Sequence, residues 1–366
     1  MDPRIEKLAD LMVNYSVAVK PHEKVLIRGS LIGEPLIKAI YAKVLQAGGY
    51  PLVVADVPGI NEILYRYAND DQLAYIPEPY RMAMDTYDVA ISILGDANTK
   101  ALTNVDPARM ALRSRSWAPV SKTMMERAAK GDLRWTLTLF PTDAHAQDAE
   151  MSLTEYEDFV YNACMPDMND PVGYWQKIRV QQDRIVAWLK GKDQVHVKAE
   201  GTDLRLSVKD RTFINCCCHN NVPDGEVFTG PVEDSAEGYV TFTYPALYNG
   251  HEVTGVRLWF EKGRVVKATA DKNEEFLLKM LDTDAGSRYL GEFAIGTNEG
   301  INRFTGEILF DEKIGGSFHM ALGAGYPETG AKNESGIHWD MICDLRQGGE
   351  IRVDDELLYQ NGKFVI

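Results

Sequence analysis

A histidine and an aspartate near the end of the chain are the first residues whose types and spacing point to metal chemistry. His338 and Asp340 stand two positions apart, and side chains at i and i+2 of a β-strand point to the same face. Both could reach one ion while Trp339 points away. Imidazole with carboxylate suits zinc, cobalt, manganese or iron better than magnesium. Alone, such a pair is also the pattern of a strand with two solvent-facing polar residues.

Three more residues in the same half of the chain could complete a metal site. His319 lies in FHMALG, Glu226 follows a Pro-Asp-Gly turn, and Glu292 follows Gly291. Each also has an interpretation without a metal: the histidine could belong to the core, and the two glutamates could be exposed carboxylates. With the first pair they make five oxygen and nitrogen ligands, about what two hydrolytic metal ions need when a carboxylate bridges them. The residues alone do not establish that the five converge.

Length and charge limit the class of protein. A chain of 366 residues predicts two domains. The net charge of -15 argues against nucleic-acid binding, because an acidic surface repels phosphates. The start of the chain, MDPRIEKLADLMVNYSV, has no signal-peptide pattern, and no apolar run is long enough to span a membrane.

The cysteines indicate a reducing compartment. Of the five, three are adjacent at positions 216–218, and neighbours on a strand point to opposite faces, so they cannot form an ordinary set of disulfides. We therefore expect a cytoplasmic protein. The run CCCH lacks the spacing of a cysteine metal site, and we interpret it as a strand that leads to the turn before Glu226.

The secondary structure that must position these residues follows two different patterns along the chain. In residues 1–192, strand-like segments such as EKVLIRGS and YDVAISILGD alternate with helical ones such as EPLIKAIYAKVLQAGG. This predicts an α/β N-terminal domain with a mostly parallel sheet, ending in a connecting helix. The segment RGSLIGEPL carries neither a Walker pattern nor a dinucleotide fingerprint, so we interpret it as an ordinary βα turn.

Residues 193–366 predict an α+β C-terminal domain. Short alternating segments such as QVHVKAEGTDLRLSV and GVRLWFEKGRVVKATA are divided by glycine, asparagine and aspartate, which is typical of largely antiparallel strands and hairpins. One helix, in NEEFLLKMLDTDAGSRYL, interrupts them. All five candidate ligands belong to this domain, so the predicted metal site lies there.

Four motifs in this order resemble the thermophilic aminopeptidase T family (M29) of metallo-aminopeptidases: NVPDGEVFTGP, LGEFAIGTN, LFDEKIGG with HMALG and a following tyrosine, and IHWD. The resemblance covers most of the C-terminal half, and the α/β first half fits it too. It implies a hydrolase that removes the N-terminal residue of peptides. It also implies a dinuclear centre of zinc, cobalt, manganese or magnesium in the C-terminal domain, and a homodimer.

The resemblance also implies roles for individual residues. The metal ligands would be Glu226, Glu292, His319, His338 and Asp340. Tyr326 matches the family's catalytic tyrosine. Glu312 resembles a further acidic residue near the site, although the spacer to His319 is longer than in better-known members, and the segment from His319 to His338 is shorter.

A mechanism follows from these implied roles as a hypothesis. A hydroxide held between the two metals would attack the scissile carbonyl. One metal and Tyr326 would stabilise the developing oxyanion. Glu292 or Glu312 would relay the proton to the leaving amine, and free acidic groups would bind the α-ammonium of the substrate.

Three other functions stay open at this point. A mononuclear iron dioxygenase of similar fold, which opens hydroxypyridine rings, needs only two histidines and one carboxylate. His319, His338 and Asp340 could supply these, but the presence of both glutamates favours hydrolysis. A non-catalytic binding protein could keep the fold. A nucleotide-dependent enzyme would need a phosphate-binding fingerprint that the first domain lacks.

Overall fold

The computed structural model describes residues 2–248 and 250–366. By their contacts they form two compact units, Met1–Tyr174 with Cys218–Pro223, and Trp175–Cys217 with Asp224–Ile366. The division falls near the start of helix α9 (Pro171–Leu189), whereas the boundary expected after Lys192 falls just past its end.

The first unit is built from short helices and a five-stranded sheet. Its helices are α1 (Pro3–Asp10), α2 (Glu34–Gln46), α3 (Ile60–Tyr67), α4 (Asp70–Ala74), α5 (Glu78–Thr86), α6 (Pro107–Ala129), α7 (Asp143–Asp148) and α8 (Leu153–Cys164). Its strands are β1 (Lys24–Ser30), β2 (Tyr50–Asp56), β3 (Val89–Leu94), β4 (Arg134–Leu139) and β8 (Asn221–Val222). They lie in the order β2-β1-β3-β4-β8, and every pairing is parallel. The predicted α/β fold with a parallel sheet is confirmed.

Local sequence explains the boundaries of the first elements. Asp2 caps α1 by accepting a hydrogen bond from the backbone N–H of Arg4 at 2.8 Å, and a proline at the first helical position leaves no unsatisfied donor there. The helical backbone continues beyond α1 as a π-helical turn, Leu11–Ser16. A 3₁₀ turn, Leu31–Gly33, connects β1 to α2, in agreement with the interpretation of this segment as a plain βα turn. Within the described ranges, no helix is both long and apolar enough to cross a membrane.

The second unit is mostly antiparallel. After β5 (Gln194–Ala199), its strands are β6 (Thr202–Ser207), β7 (Ile214–Cys216), β9 (Glu226–Thr229), β10 (Glu237–Thr241), β11 (Ala246–Tyr248), β12 (His251–Val253), β13 (Arg257–Glu261), β14 (Arg264–Thr269), β15 (Leu290–Gly296), β16 (Ser317–Gly323), β17 (His338–Asp344), β18 (Glu350–Val353), β19 (Glu356–Gln360) and β20 (Lys363–Phe364). Besides most of α9, it contains helices α10 (Glu274–Leu281) and α11 (Ile308–Asp311).

These strands form three sheets. One has the order β14-β13-β10-β6-β5-β18-β19-β20, one pairs β11 with β12, and one has the order β17-β16-β15-β9-β7. The pairings between these strands are antiparallel. The predicted α+β class is therefore confirmed.

One apolar cluster joins the two larger sheets of the second unit. It contains Val197 and Leu204 from the eight-stranded sheet and Phe293, Phe318 and Trp339 from the five-stranded sheet. Because side chains alternate along a strand, the neighbours of the last three residues point to the opposite face of the five-stranded sheet. That face carries the candidate ligands.

The cysteine run departs from its expected structure. Only Ile214–Cys216 forms a strand, and Cys218 adopts a left-handed backbone with φ of 63°. The strand interpretation is therefore wrong for Cys217 and Cys218. A strand residue needs a negative φ, so the chain must leave the sheet before Cys218.

Candidate metal centre

Three neighbouring strands and the start of a fourth bring the five predicted ligands together. On β15, β16 and β17, Glu292, Ala321 and Asp340 lie directly opposite one another. Cross-strand partners share a face, and the small side chain of Ala321 leaves room between the two carboxylates. Residues two positions away on the same strands, His319 and His338, therefore share this face.

Glu292 lies between the two histidines. Its Oε1 is 3.6 Å from Nε2 of His319, and its Oε2 is 3.2 Å from Nε2 of His338. The side chain is buried, at 4% exposure. One carboxylate thus presents a separate oxygen to each of two imidazole nitrogens.

Two groups of donor atoms share this carboxylate. In the first, which we call the Glu226 position, ligand atoms of Glu226, Glu292 and His319 all lie within 4.8 Å of one another. In the second, the Asp340 position, ligand atoms of Glu292, His338 and Asp340 do so. The five residues predicted from the sequence therefore converge in the structure.

The outer ligands complete each position. Oε2 of Glu226 is 3.4 Å from Nε2 of His319, and Oδ1 of Asp340 is 3.5 Å from Nε2 of His338. Glu226 is the first residue of β9 and directly follows Gly225, whose φ is 119°. This backbone conformation favours glycine, and it turns the chain so that the next side chain enters the cluster.

A backbone contact sets the orientation of the His338 ring. Its Nδ1 lies 2.8 Å from the carbonyl oxygen of Ala324, so in the neutral ring the Nδ1–H group donates to this carbonyl. The lone pair of Nε2 then faces Glu292 and Asp340. Such a hydrogen bond is the usual means of orienting a histidine that binds metal.

The electrostatics of the cluster favour positive charge at both rings. Burial lowers the pKa of His319, but the neighbouring Glu292 and Glu226 raise it to about 9 overall. Burial likewise lowers the pKa of His338, while Asp340 and Glu292 raise it to about 12. The carboxylates thus supply a strongly negative environment at the two imidazole nitrogens.

The pKa values of the three carboxylates are shifted in different directions. Burial raises the pKa of Glu226 to about 8, against the opposing effect of Lys313. Burial also raises the pKa of Asp340, but the adjacent His338 lowers it to about 2 overall. The pKa of Glu292 lies below its usual value, because hydrogen bonds from His319 and His338 outweigh burial.

The donor set fits divalent metal ions. Oε2 of Glu226 and Oδ1 of Asp340 are buried and make no hydrogen bond to any part of the chain that the structure describes. Buried polar atoms nearly always have a partner, so these two oxygens are the atoms that a cation would satisfy. Carboxylate oxygen and imidazole nitrogen are ligands that zinc, manganese and cobalt accept.

Glu312 also reaches the cluster, although its long spacer to His319 left its role open in the sequence. A carboxylate oxygen of Glu312 lies within 4.8 Å of ligand atoms of His319 and Asp340. Glu312 directly follows α11, whose last residue, Asp311, is held by hydrogen bonds from the backbone N–H groups of Thr305 and Gly306 at 2.7 and 2.8 Å. The short helix therefore fixes where Glu312 enters the site.

Lys313 is a site residue that the sequence interpretation missed. It is fully buried, its Nζ contacts Glu312, and it lies 4.0 Å from Oε1 of Glu226. Burial lowers the pKa of Lys313, but Glu312 and Glu226 raise it well above its usual value. The one signal in the sequence is its position directly after Glu312 in the LFDEKIGG motif.

Tyr326 lies beside the Asp340 position. Its ring packs edge-on against His338, with centroids 5.1 Å apart, and against Phe228 at 5.4 Å. Burial and the nearby Glu292 raise the pKa of its phenol above the usual value. The hydroxyl therefore keeps its proton and is a hydrogen-bond donor.

Cys216 is closer to the site than the sequence indicated. Ligand atoms of Cys216, Asp224 and Glu226 lie within 4.8 Å of one another. Burial raises the pKa of the Cys216 thiol well above its usual value. Cys216 therefore stands next to Glu226 without belonging to either of the two groups that share Glu292.

Comparisons with known proteins also indicate a metal-dependent peptidase. The profile of the Peptidase_M29 family, described as "Thermophilic metalloprotease (M29)", matches residues 1–364. Aminopeptidase 2 of Geobacillus stearothermophilus is 26% identical, over 93% of this chain and 92% of that protein. Aminopeptidase T of Thermus thermophilus is 25% identical, over 98% of this chain and 95% of that protein.

Two solved structures share the fold. Wild-type AmpT from Thermus thermophilus superposes with a TM-score of 0.88 at 23% identity, covering 100% of this chain and 99% of that one. The 2,5-dihydroxypyridine dioxygenase from Pseudomonas putida KT2440 superposes with a TM-score of 0.61 at 15% identity, covering 100% and 98%. Because a peptidase and a dioxygenase share this fold, the fold alone does not indicate which reaction a protein catalyses.

Proposed function

This chain belongs to the M29 peptidase family of thermophilic metalloproteases, and on that premise we propose that it is an aminopeptidase with a dinuclear metal centre. Its substrates are peptides, from which it releases the N-terminal residue. The names of the relatives support this activity. The observation that carries the two-metal proposal is the position of Glu292 between His319 and His338.

We assign five residues to the metals. Glu226, Glu292 and His319 would hold one divalent ion, and Glu292, His338 and Asp340 would hold the other, so that both groups include Glu292. The family description requires a metal but does not name it; zinc, cobalt, manganese and magnesium are the candidates. Bound ions of this kind lower the pKa of water and polarise a carbonyl oxygen.

Tyr326 is assigned to the stabilisation of negative charge on the substrate. Its raised pKa keeps the phenol protonated, and its ring is held against His338. A preorganised donor of this type stabilises the oxyanion that develops on the scissile carbonyl.

Glu312 is assigned to proton transfer. Both oxygens of Glu292 already face histidines, whereas the Glu312 side chain is 16% exposed and lies near both His319 and Asp340. A carboxylate there can take a proton and return it to the leaving amine. The surplus of carboxylates also favours binding of the positively charged N-terminus of a peptide.

The proposal also covers the compartment and the oligomeric state of the protein. The cysteines within the described residues are free thiols, which fits a reducing cytoplasm. We propose a homodimer. Light scattering after gel filtration should then give twice the chain mass of 41.0 kDa. A mass equal to one chain would contradict it.

The test combines metal analysis with an exopeptidase assay. Metal-free protein is reloaded separately with zinc, cobalt, manganese or magnesium, and mass spectrometry gives the metal content. The reloaded protein is then given aminoacyl-arylamides, with N-acetylated versions as matched controls. We expect two ions per chain and cleavage only of substrates with a free amine. One iron per chain with oxygen uptake would instead indicate the dioxygenase reaction.

A further inference from the structure

Lys313 places a fixed positive charge at one side of the metal centre. Its backbone N–H donates to the carbonyl of Phe310 at 3.0 Å, and its own carbonyl accepts from the N–H of Asn298 at 3.2 Å. The side chain of Asn298 in turn donates to the carbonyl of Asp224 at 2.7 Å. The backbone of Lys313 is thus tied to the turn that precedes Glu226.

The charge of Lys313 is directed at one metal position. Its Nζ lies 4.0 Å from Oε1 of Glu226 and contacts Glu312. In the described part of the chain, the ion-pair contacts of Glu292 and Asp340 are to histidines alone. The buried ammonium therefore offsets carboxylate charge at the Glu226 position through a direct ion pair, whereas it acts on Asp340 only from beyond ion-pair distance.

This asymmetry has a direct effect on cation binding. A divalent ion held by Glu226 lies close to an ammonium that shares the same carboxylate, and like charges a few ångströms apart repel strongly in a buried site. Lys313 also competes for Oε1 of Glu226. Among the described contacts, no ligand of the Asp340 position forms an ion pair with Lys313, so an ion held there meets a weaker repulsion and no competition.

We propose that Lys313 makes the two metal positions unequal, so that the Asp340 position binds its divalent ion tightly and the Glu226 position binds its ion weakly. This inference rests on the proposed function, because it requires two metal positions. Its chemistry is that of a divalent cation competing with a built-in lysine ammonium. The enzyme then fills its second position only at higher metal concentration.

Calorimetric titration of the full-length, metal-free protein with zinc tests the inference. We expect two unequal binding steps in the wild type. The neutral variant Lys313→Met should raise the affinity of the weaker step at least about tenfold and change the tighter step by less than about threefold. The matched control Lys313→Arg keeps the charge and should keep the wild-type pattern. An unchanged or weakened second step in Lys313→Met would overturn the inference.

Two ligand variants keep the test decisive if Lys313→Met does not fold. Glu226→Gln should remove the weaker step and Asp340→Asn the tighter one; the reverse assignment, or equal steps in the wild type, would overturn the inference. Wild-type protein that binds no zinc would contradict the inference and the proposed function together. Unequal steps that respond to Lys313→Met, in a protein without peptidase activity, would support the inference and contradict the proposed function.

Discussion

The Oε2 atom of Glu292 lies 3.2 Å from Nε2 of His338, while the other oxygen of the same carboxylate faces His319. This single side chain connects the two halves of the proposed metal centre. The neutral isostere glutamine keeps the shape but has one oxygen and one amide nitrogen, so it could not offer an anionic oxygen to each of the two proposed ions.

Glu292→Gln should therefore abolish peptide hydrolysis, with a loss of at least about a thousandfold in kcat/KM. It should also lower the number of tightly bound metal ions. The control is Glu275→Gln, which changes an exposed glutamate on α10. Retained activity with full metal occupancy would contradict the role of Glu292.

Tyr326→Phe should lower kcat by about a hundredfold or more and change KM little, because the lost hydroxyl acts on charge that develops in the transition state. Metal content should stay at the wild-type value, since Tyr326 is not among the proposed ligands. Tyr239→Phe, at an exposed tyrosine of β10 with 43% exposure, is the matched control. A selective rise in KM would argue for a role in substrate binding instead.

Removal of the metal should destabilise the protein. Ions that bind only the folded state contribute about 4 kcal/mol at a thousandfold excess over Kd, so a chelator should lower the melting temperature of the second unit by several degrees. Zinc or manganese added back should restore it. A chelator saturated with calcium controls for direct effects on the protein. An unchanged melting temperature would show that the cluster holds no ion.

His145 predicts a pH dependence that does not involve the metal centre. It is 5% exposed, and burial lowers its pKa against the opposing effect of Asp96 and Asp148. The unfolded chain then binds more protons than the folded one, so stability falls as the pH drops below the unfolded value of about 6.5. Between about pH 8 and pH 5, the wild-type protein should therefore lose more unfolding free energy than His145→Gln. Equal losses in urea denaturation would contradict this.

Gly225→Ala should destabilise the turn before Glu226. The φ of 119° disfavours any side chain, and an added Cβ would lie 2.8 Å from Cβ of Asn298. We expect a loss of about 1–3 kcal/mol in unfolding free energy. Gly348→Ala is the control, because its φ of 72° is also positive but its Cβ would meet no atom within 4 Å. Equal losses for both variants would show that the contact with Asn298 is unimportant.

The sequence predicted the type of each half of the fold because local signals decide it. Alternating helices and apolar strands such as Val89–Leu94 indicate a parallel sheet, and closely spaced hairpins such as Gln194–Ser207 indicate an antiparallel one. The order of strands depends on long-range pairing. Nothing local predicts that Asn221–Val222 returns to the sheet of the first unit beside Arg134–Leu139.

The candidate site was predictable only through its motifs. Residue types and order indicated five candidate ligands, but their convergence depends on the cross-strand register that sets Glu292 opposite Ala321 and Asp340. Lys313 lies within the LFDEKIGG motif, but an ammonium group is not a metal ligand, so the motif alone does not mark it as a site residue. Its importance appears only when its full burial beside Glu226 and Glu312 is seen.

The most direct test of the central claim is anomalous diffraction from crystals of the zinc-loaded protein. Two zinc peaks should flank the Glu292 carboxylate, about 3.5–4 Å apart, the spacing usual in two-metal hydrolases. One should lie beside His319 and the other beside His338. A single peak at saturating zinc, or two peaks that do not share Glu292, would contradict the dinuclear centre.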